Sequence, residues 1–164
     1  MLEKNIVELI NQQINKELES AYLYLSFANY FKEKGLDGFA HWYVVQAKEE
    51  VQHANKFIDY LHDNNCIVKL NDIRIIECDC DEDAAVISKA LQHEKYVTAL
   101  INNIYKAANE IRDYRTENFL GWFIAEQLEE EKNAQEMLDM YYRFGCDSCC
   151  SLMALDEKLG KRGD

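Results

Sequence analysis

Four glutamates interrupt apolar stripes in this sequence, and each sits near the middle of its stripe. Read at alternating spacings of three and four, Glu17 falls among Ile10, Ile14, Ala21, Tyr24 and Ala28, and Glu50 among Phe39, Tyr43, Ala47, Phe57 and Leu61. Glu94 falls among Ile87, Leu91, Val97, Ile101, Ile104 and Ala108, and Glu130 among Leu120, Phe123, Gln127, Ala134, Met137 and Tyr141. His53 follows Glu50 at i+3, which puts a carboxylate and an imidazole on one helix face. None of the four stripes contains Lys or Arg. Carboxylates brought together in an apolar interior cost several kcal/mol per ion unless a positive charge compensates them. A metal ion is the simplest source of that charge, and an oxygen-rich set with one imidazole suits iron or manganese better than copper. Taken singly, each glutamate reads as a solvated helix residue and Glu-x-x-His is a weak motif; the four matching positions carry the inference together.

The elements that must position these residues are helices. Helical periodicity runs over about 5–34, 38–64, 83–108 and 114–144, with a short fifth segment over about 147–159 that carries Leu152, Leu155 and Leu159 on one stripe. Breaks fall at Lys34 to Gly38, at Asp63-Asn64-Asn65 and near Asn109 to Asp113, and Gly145 is predicted to cap the fourth helix. Between about 66 and 81 the pattern lapses into β-branched runs, Ile67-Val68 and Ile73 to Ile76, which predict extended chain. Short links make helices one and two antiparallel neighbours, and likewise three and four. The connector of about 16 residues spans some 50 Å, more than the roughly 40 Å of helix two, so it can return along the whole bundle. The predicted fold is all-α: a four-helix bundle with one long crossover, in a single domain over 1–164. From the turn near 111, Glu94 and Glu130 lie at matching depth, about 26 to 28 Å away; Glu17 and Glu50 differ by roughly 7 Å measured from the turn near 36.

Composition agrees and excludes alternatives. With no proline and 6 glycines in 164 residues, all-β folds are close to ruled out, and 48% hydrophobic residues suffice for one core. Acids outnumber bases 30 to 18, and a net charge of -12 repels nucleic acid and attracts cations. No stretch reaches the roughly 18 apolar residues of a membrane helix, and MLEKNIVELINQQ lacks the pattern of a secretory signal. The expected compartment is the cytoplasm, where Cys66, Cys78, Cys80, Cys146, Cys149 and Cys150 are read as reduced surface thiols.

The segments ELESAYLYLSFANYF around Glu17, HWYVVQAKEEVQHANKF around Glu50 and His53, ALQHEKYVTALINNIY around Glu94 and FLGWFIAEQLEEE around Gln127 and Glu130 resemble those of bacterial-type non-haem ferritins, over nearly the whole chain. The resemblance implies a ferritin-like bundle with a short fifth C-terminal helix and a di-iron ferroxidase centre. Glu17, Glu50 and His53 would hold one iron, and Glu50, Glu94 and Glu130 the second, with Gln127 near the dioxygen site. Glu49, Glu126 and Glu129 match a further iron site of bacterial members. Tyr24 and Trp122 lie near the same level and are more often packing residues; Tyr24 is kept among the catalytic candidates. The resemblance further implies iron storage by oxidation of Fe(II) with dioxygen or peroxide, deposition of ferric mineral, and a homo-oligomeric shell of twenty-four subunits with the fifth helix at a four-fold axis. Asp113, Thr116 and Glu117 would line an Fe(II) channel at a three-fold axis, although Leu120 stands where animal ferritins are acidic.

Departures matter too. A second Glu-x-x-His on helix four would make a symmetric site; Gln127 and Glu130 stand there instead, so the second iron should be held more loosely. Position 52 is Gln52 where bacterioferritins carry a haem-binding methionine, and no haem is expected. The competing functions are a di-iron oxidase of a small substrate and a non-catalytic helical assembly whose acids bind stray cations. On helix one, AYLYLSFANYF has more apolar positions than one inward stripe uses, which favours burial against another subunit.

Overall fold

The computed structural model describes residues 2–73, 78, 80–145 and 148–163. Five α-helices occur among them: α1 (Lys4–Glu33), α2 (Asp37–Asp63), α3 (Asp83–Glu110), α4 (Tyr114–Met140) and α5 (Cys149–Leu159), with a π-helical turn over Tyr141–Gly145. Helix α1 packs along α2, α3 along α4, and α1 also meets α3. This is the predicted four-helix bundle with a long crossover, and among the described residues no helix is long and apolar enough to cross a membrane.

The helix ends follow backbone chemistry. Gly35 takes φ +75°, and Leu36 N donates to Phe31 O while Gly35 N donates to Lys32 O, closing α1 with a left-handed cap that relieves the last carbonyls. Asn65 (φ 55°) ends α2 in the same way, and Arg112 (φ 59°) ends α3. At the start of α4 the Asp113 carboxylate accepts from Thr116 N at 3.2 Å, a side-chain cap.

The crossover is held by two asparagines one turn apart on α1. Asn11 Nδ2 donates to Ile67 O (3.1 Å) and its Oδ1 accepts from Lys69 N (2.6 Å). Asn15 repeats the exchange with Lys69 O (2.8 Å) and Asn71 N (2.7 Å). The amides thus supply these backbone groups of the connector with hydrogen bonds that a sheet would otherwise give. Where it is described, over 66–73, the connector carries no helix; Arg74, Ile75 and Ile76 lie outside the described residues, as does Cys146.

The α-helical hydrogen bonding of α4 ends at Met140, and a π-helical turn carries the chain on over Tyr141–Gly145. Of the residues expected at a channel, Thr116 is fully buried and bonded to Tyr60 Oη at 2.8 Å, whereas Asp113, which caps α4, and Glu117 are partly exposed; Leu120 is fully buried. The leucine stripe of α5 is covered by its own chain: Leu155 and Leu159 are buried in the cluster of Phe31, Phe39 and Ala40, and Asp156 Oδ1 accepts from Phe39 N at 2.9 Å. No disulfide joins the described cysteines; Cys66, Cys78 and Cys80 are partly buried, and Cys149 and Cys150 are exposed.

Candidate metal centre

The bundle core divides into two apolar clusters. One gathers Tyr24, Phe27, Phe31, Phe39, Tyr43 and Met137; the other gathers Ile10, Ile14, Phe57, Val97, Ile101 and Phe123. The glutamates lie on the same helices between these residues, so helical periodicity delivers one polar layer into a dry interior. Glu17, Glu50, Glu94 and Glu130 are all buried, with exposures of 1%, 2%, 2% and 5%.

Glu17, Glu50 and His53 converge, each offering a ligand atom within 4.8 Å of the others. The difference in depth expected along α1 and α2 is therefore absorbed by side-chain length and helix crossing. His53 Nδ1 faces Glu50 Oε2 at 3.7 Å, and Nε2 faces Glu126 Oε1 at 3.7 Å, so the ring has a carboxylate on each side. Gln13 donates to Glu17 Oε1 at 2.8 Å, but Glu17 Oε2 is buried with no hydrogen-bond partner. An orphaned buried carboxylate oxygen beside a second carboxylate and an imidazole has the donor chemistry of a cation-binding cluster.

His53, Glu126 and Glu130 form a second such group within 4.8 Å. Glu94 joins neither three-residue group. It accepts a short hydrogen bond from the Tyr24 hydroxyl and one from Gln127 Nε2 at 3.2 Å; Gln127 also reaches Thr98 Oγ1 at 3.3 Å. Glu130 Oε2 accepts from Gln46 Nε2 at 2.7 Å, and Glu50 Oε1 lies 3.4 Å from the same nitrogen.

Burial sets the acidity here. It raises Glu17 well above the usual carboxylate range, and the neighbouring Glu50 charge adds to this. Burial likewise raises Glu50, with Glu94 and Glu130 reinforcing it, and pushes Glu130 up to about 8, with Glu94 second. Burial raises Glu94 against the lowering effect of the Tyr24 and Gln127 hydrogen bonds. Tyr24 is itself raised well above its usual range by burial and by Glu94, so its hydroxyl keeps its proton. For Glu130, a folded value of about 8 against an ordinary 4.5 means stability that is fully present below pH 4.5 and lost as pH rises towards 8. Glu130→Gln, which cannot ionise, should match the metal-free wild type near pH 4.5 and exceed it by about 1–4 kcal/mol above pH 8. Denaturant unfolding across that range measures the difference.

Of the residues expected at a further iron site, Glu126 meets His53 and Glu130, whereas Glu129 is exposed and Glu49 pairs with Arg162 Nη2. Trp122 stacks edge-on against His53 at 5.5 Å and carries Lys56 4.4 Å over its ring, a packing role. Sequence reasoning missed Gln13, Gln46 and Arg162. The two glutamines stand one turn before Glu17 and Glu50, a spacing that could have marked them as partners; Arg162 gave no local signal.

A family model described as a ferritin-like domain matches residues 7–143. A bacterial non-haem ferritin of Bacteroides fragilis is 33% identical over 162 residues, covering 99% of this chain and 100% of the relative. One of Campylobacter jejuni is 37% identical over 139 residues, covering 85% of this chain and 83% of the relative. Among solved structures, an open-pore ferritin from the hyperthermophilic archaeon Archaeoglobus fulgidus superposes with a TM-score of 0.96 at 37% identity, covering 99% and 100% of the two chains. A humanized archaeal ferritin superposes at 0.97 with 36% identity, covering both chains in full. With the fold, the buried carboxylate layer and near-complete alignment in agreement, the chain belongs to the ferritin family.

Proposed function

We propose that this protein stores and detoxifies iron as a single-domain cytoplasmic ferroxidase, oxidising Fe(II) inside the bundle and depositing ferric mineral within a hollow shell of twenty-four copies. The observation that carries the reading is the unsatisfied, fully buried Glu17 Oε2 within the Glu17, Glu50 and His53 cluster. Glu17, Glu50 and His53 take the first Fe(II); Glu50, Glu94 and Glu130 take the second. Gln127 borders the oxidant side, Tyr24 holds Glu94, and Glu49, Glu126 and Glu129 receive iron leaving towards the mineral. Anionic oxygen ligands favour Fe(III) over Fe(II), and two irons held together supply the two electrons that a first reduction of dioxygen requires. The site needs no haem.

Space argues against an organic substrate. The cavity bordered by Tyr24, Gln46, Glu94 and Glu130 measures about 20 Å³, room for a water-sized molecule only. Assembly has support in Tyr22 and Leu25 on α1 and Val44 and Val51 on α2, apolar side chains with exposures of 37–51%.

Iron loading tests the reading. Aerobic addition of Fe(II) should give particles near twenty-four times the chain mass that hold thousands of irons. A fixed pair per chain would indicate an oxidase instead, and no uptake a scaffold; a monomer by size-exclusion chromatography at micromolar concentration would remove the shell.

A further inference from the structure

Arg162 lies beyond the end of α5, yet its guanidinium reaches the edge of the carboxylate layer. Nη1 donates to Gln46 Oε1 at 3.0 Å and to the Trp42 carbonyl at 3.5 Å, and Nη2 donates to Glu49. The guanidinium carbon sits 4.2 Å from the centre of the Trp42 ring, and the Arg162 carbonyl oxygen meets His41 Nε2 at 2.8 Å. The side chain is thus fixed by a stack, an ion pair and hydrogen bonds from both its head and its backbone.

A guanidinium has donors only. The amide oxygen of Gln46 must therefore face Arg162, which leaves the NH₂ group facing inward, 2.7 Å from Glu130 and 3.4 Å from Glu50. Turned over, the buried amide would set its oxygen against two carboxylates and its NH₂ against a cation. Gln46 is 4% exposed, so water is poorly placed to fix its orientation instead.

We propose that Arg162 is a positioning residue of the metal centre: from the C-terminal tail it locks the Gln46 amide, which in turn holds Glu130 and Glu50 ready for the second metal. This rests on reading the layer as a two-metal site. Arg162 itself is never a ligand and acts through Gln46.

The test is titration of the metal-free assembled protein with Co(II), redox-stable under these conditions, followed by calorimetry and visible absorption. The wild type should bind two Co(II) per chain in the bundle core with separable affinities, apart from a weaker ion at Glu49, Glu126 and Glu129. In Arg162→Gln the first, at Glu17, Glu50 and His53, should stay within about twofold, and the second should weaken about tenfold, the equivalent of one lost hydrogen bond. Gln46→Leu should produce the same selective loss, and the double variant no more than either alone, because the two residues act in series. A tail that merely aids folding would lower the thermal midpoint or weaken both ions together. The proposal is overturned if both affinities fall equally, if Arg162→Gln binds as wild type, or if the losses add in the double variant. A wild type that binds no Co(II) pair, or a Glu50→Ala variant that binds both ions normally, would instead overturn the two-metal reading and the proposal with it.

Discussion

Glu50→Ala should abolish rapid Fe(II) oxidation, slowing the first turnover by more than about a hundredfold. Loss of a residue that only supports a metal ligand typically reduces affinity or activity 10–100-fold, and Glu50 serves as a ligand on the proposed assignment. It stands in the cluster with Glu17 and His53, and its other side faces the Gln46 amide that also holds Glu130. Of the buried carboxylates it is therefore best placed to touch both irons, and without it neither set keeps enough ligands. Stopped-flow absorbance of Fe(III) formation with two Fe(II) added per chain measures the effect, and wild-type kinetics would refute the assigned centre. Two companion variants locate the effect within the site. Glu130→Ala should weaken mainly the second iron and slow turnover, whereas Glu129→Ala, altering an exposed residue, should spare the first oxidation and change later turnovers only.

The largest structural effect is expected at Gly38. A Cβ built there would lie 1.7 Å from the backbone oxygen of Asp156, with the Asp156 carbonyl carbon at 2.5 Å. Both are main-chain atoms of α5, so no side-chain rotation relieves the overlap. Gly38→Ala must therefore push α5 away from the start of α2, breaking the Phe39 N to Asp156 bond and uncovering Leu155 and Leu159. Overpacking of this kind costs about 1–3 kcal/mol or more. Because Arg162 follows α5, the displacement should also release its contacts with Gln46 and Glu49. Limited trypsin digestion with mass spectrometry should show earlier cleavage at Lys158, Lys161 and Arg162, with a lowered thermal midpoint. Gly121 is the control: nothing lies within 4 Å of an added Cβ there, and Gly121→Ala, in the interior of α4, should stabilise by roughly 0.5–1 kcal/mol.

The four helical stripes and their carboxylates were legible because amphipathic periodicity is a property of one helix. Every residue of the α1 and α3 stripes is buried, as are Phe39, Tyr43, Ala47, Phe57 and Leu61 on α2. The crossover was legible from its length and the lapse of the 3.6 period. The end of α4 was less so: a π turn at Tyr141 alters hydrogen-bond spacing without altering which residues are apolar, and Gly145 gives the same signal for either ending.

The sequence by itself determined that four helices place acids in an apolar interior and that the chain carries a surplus of negative charge for a cation to answer. Tertiary structure alone decided who satisfies those acids. Asn11 meets Ile67 across 56 residues, Tyr24 meets Glu94 across 70, and Arg162 meets Gln46 across 116. Burial follows the local pattern of hydrophobicity, which each helix repeats every turn. A hydrogen bond requires two particular atoms within about 3 Å, and no local pattern specifies which distant residue arrives there.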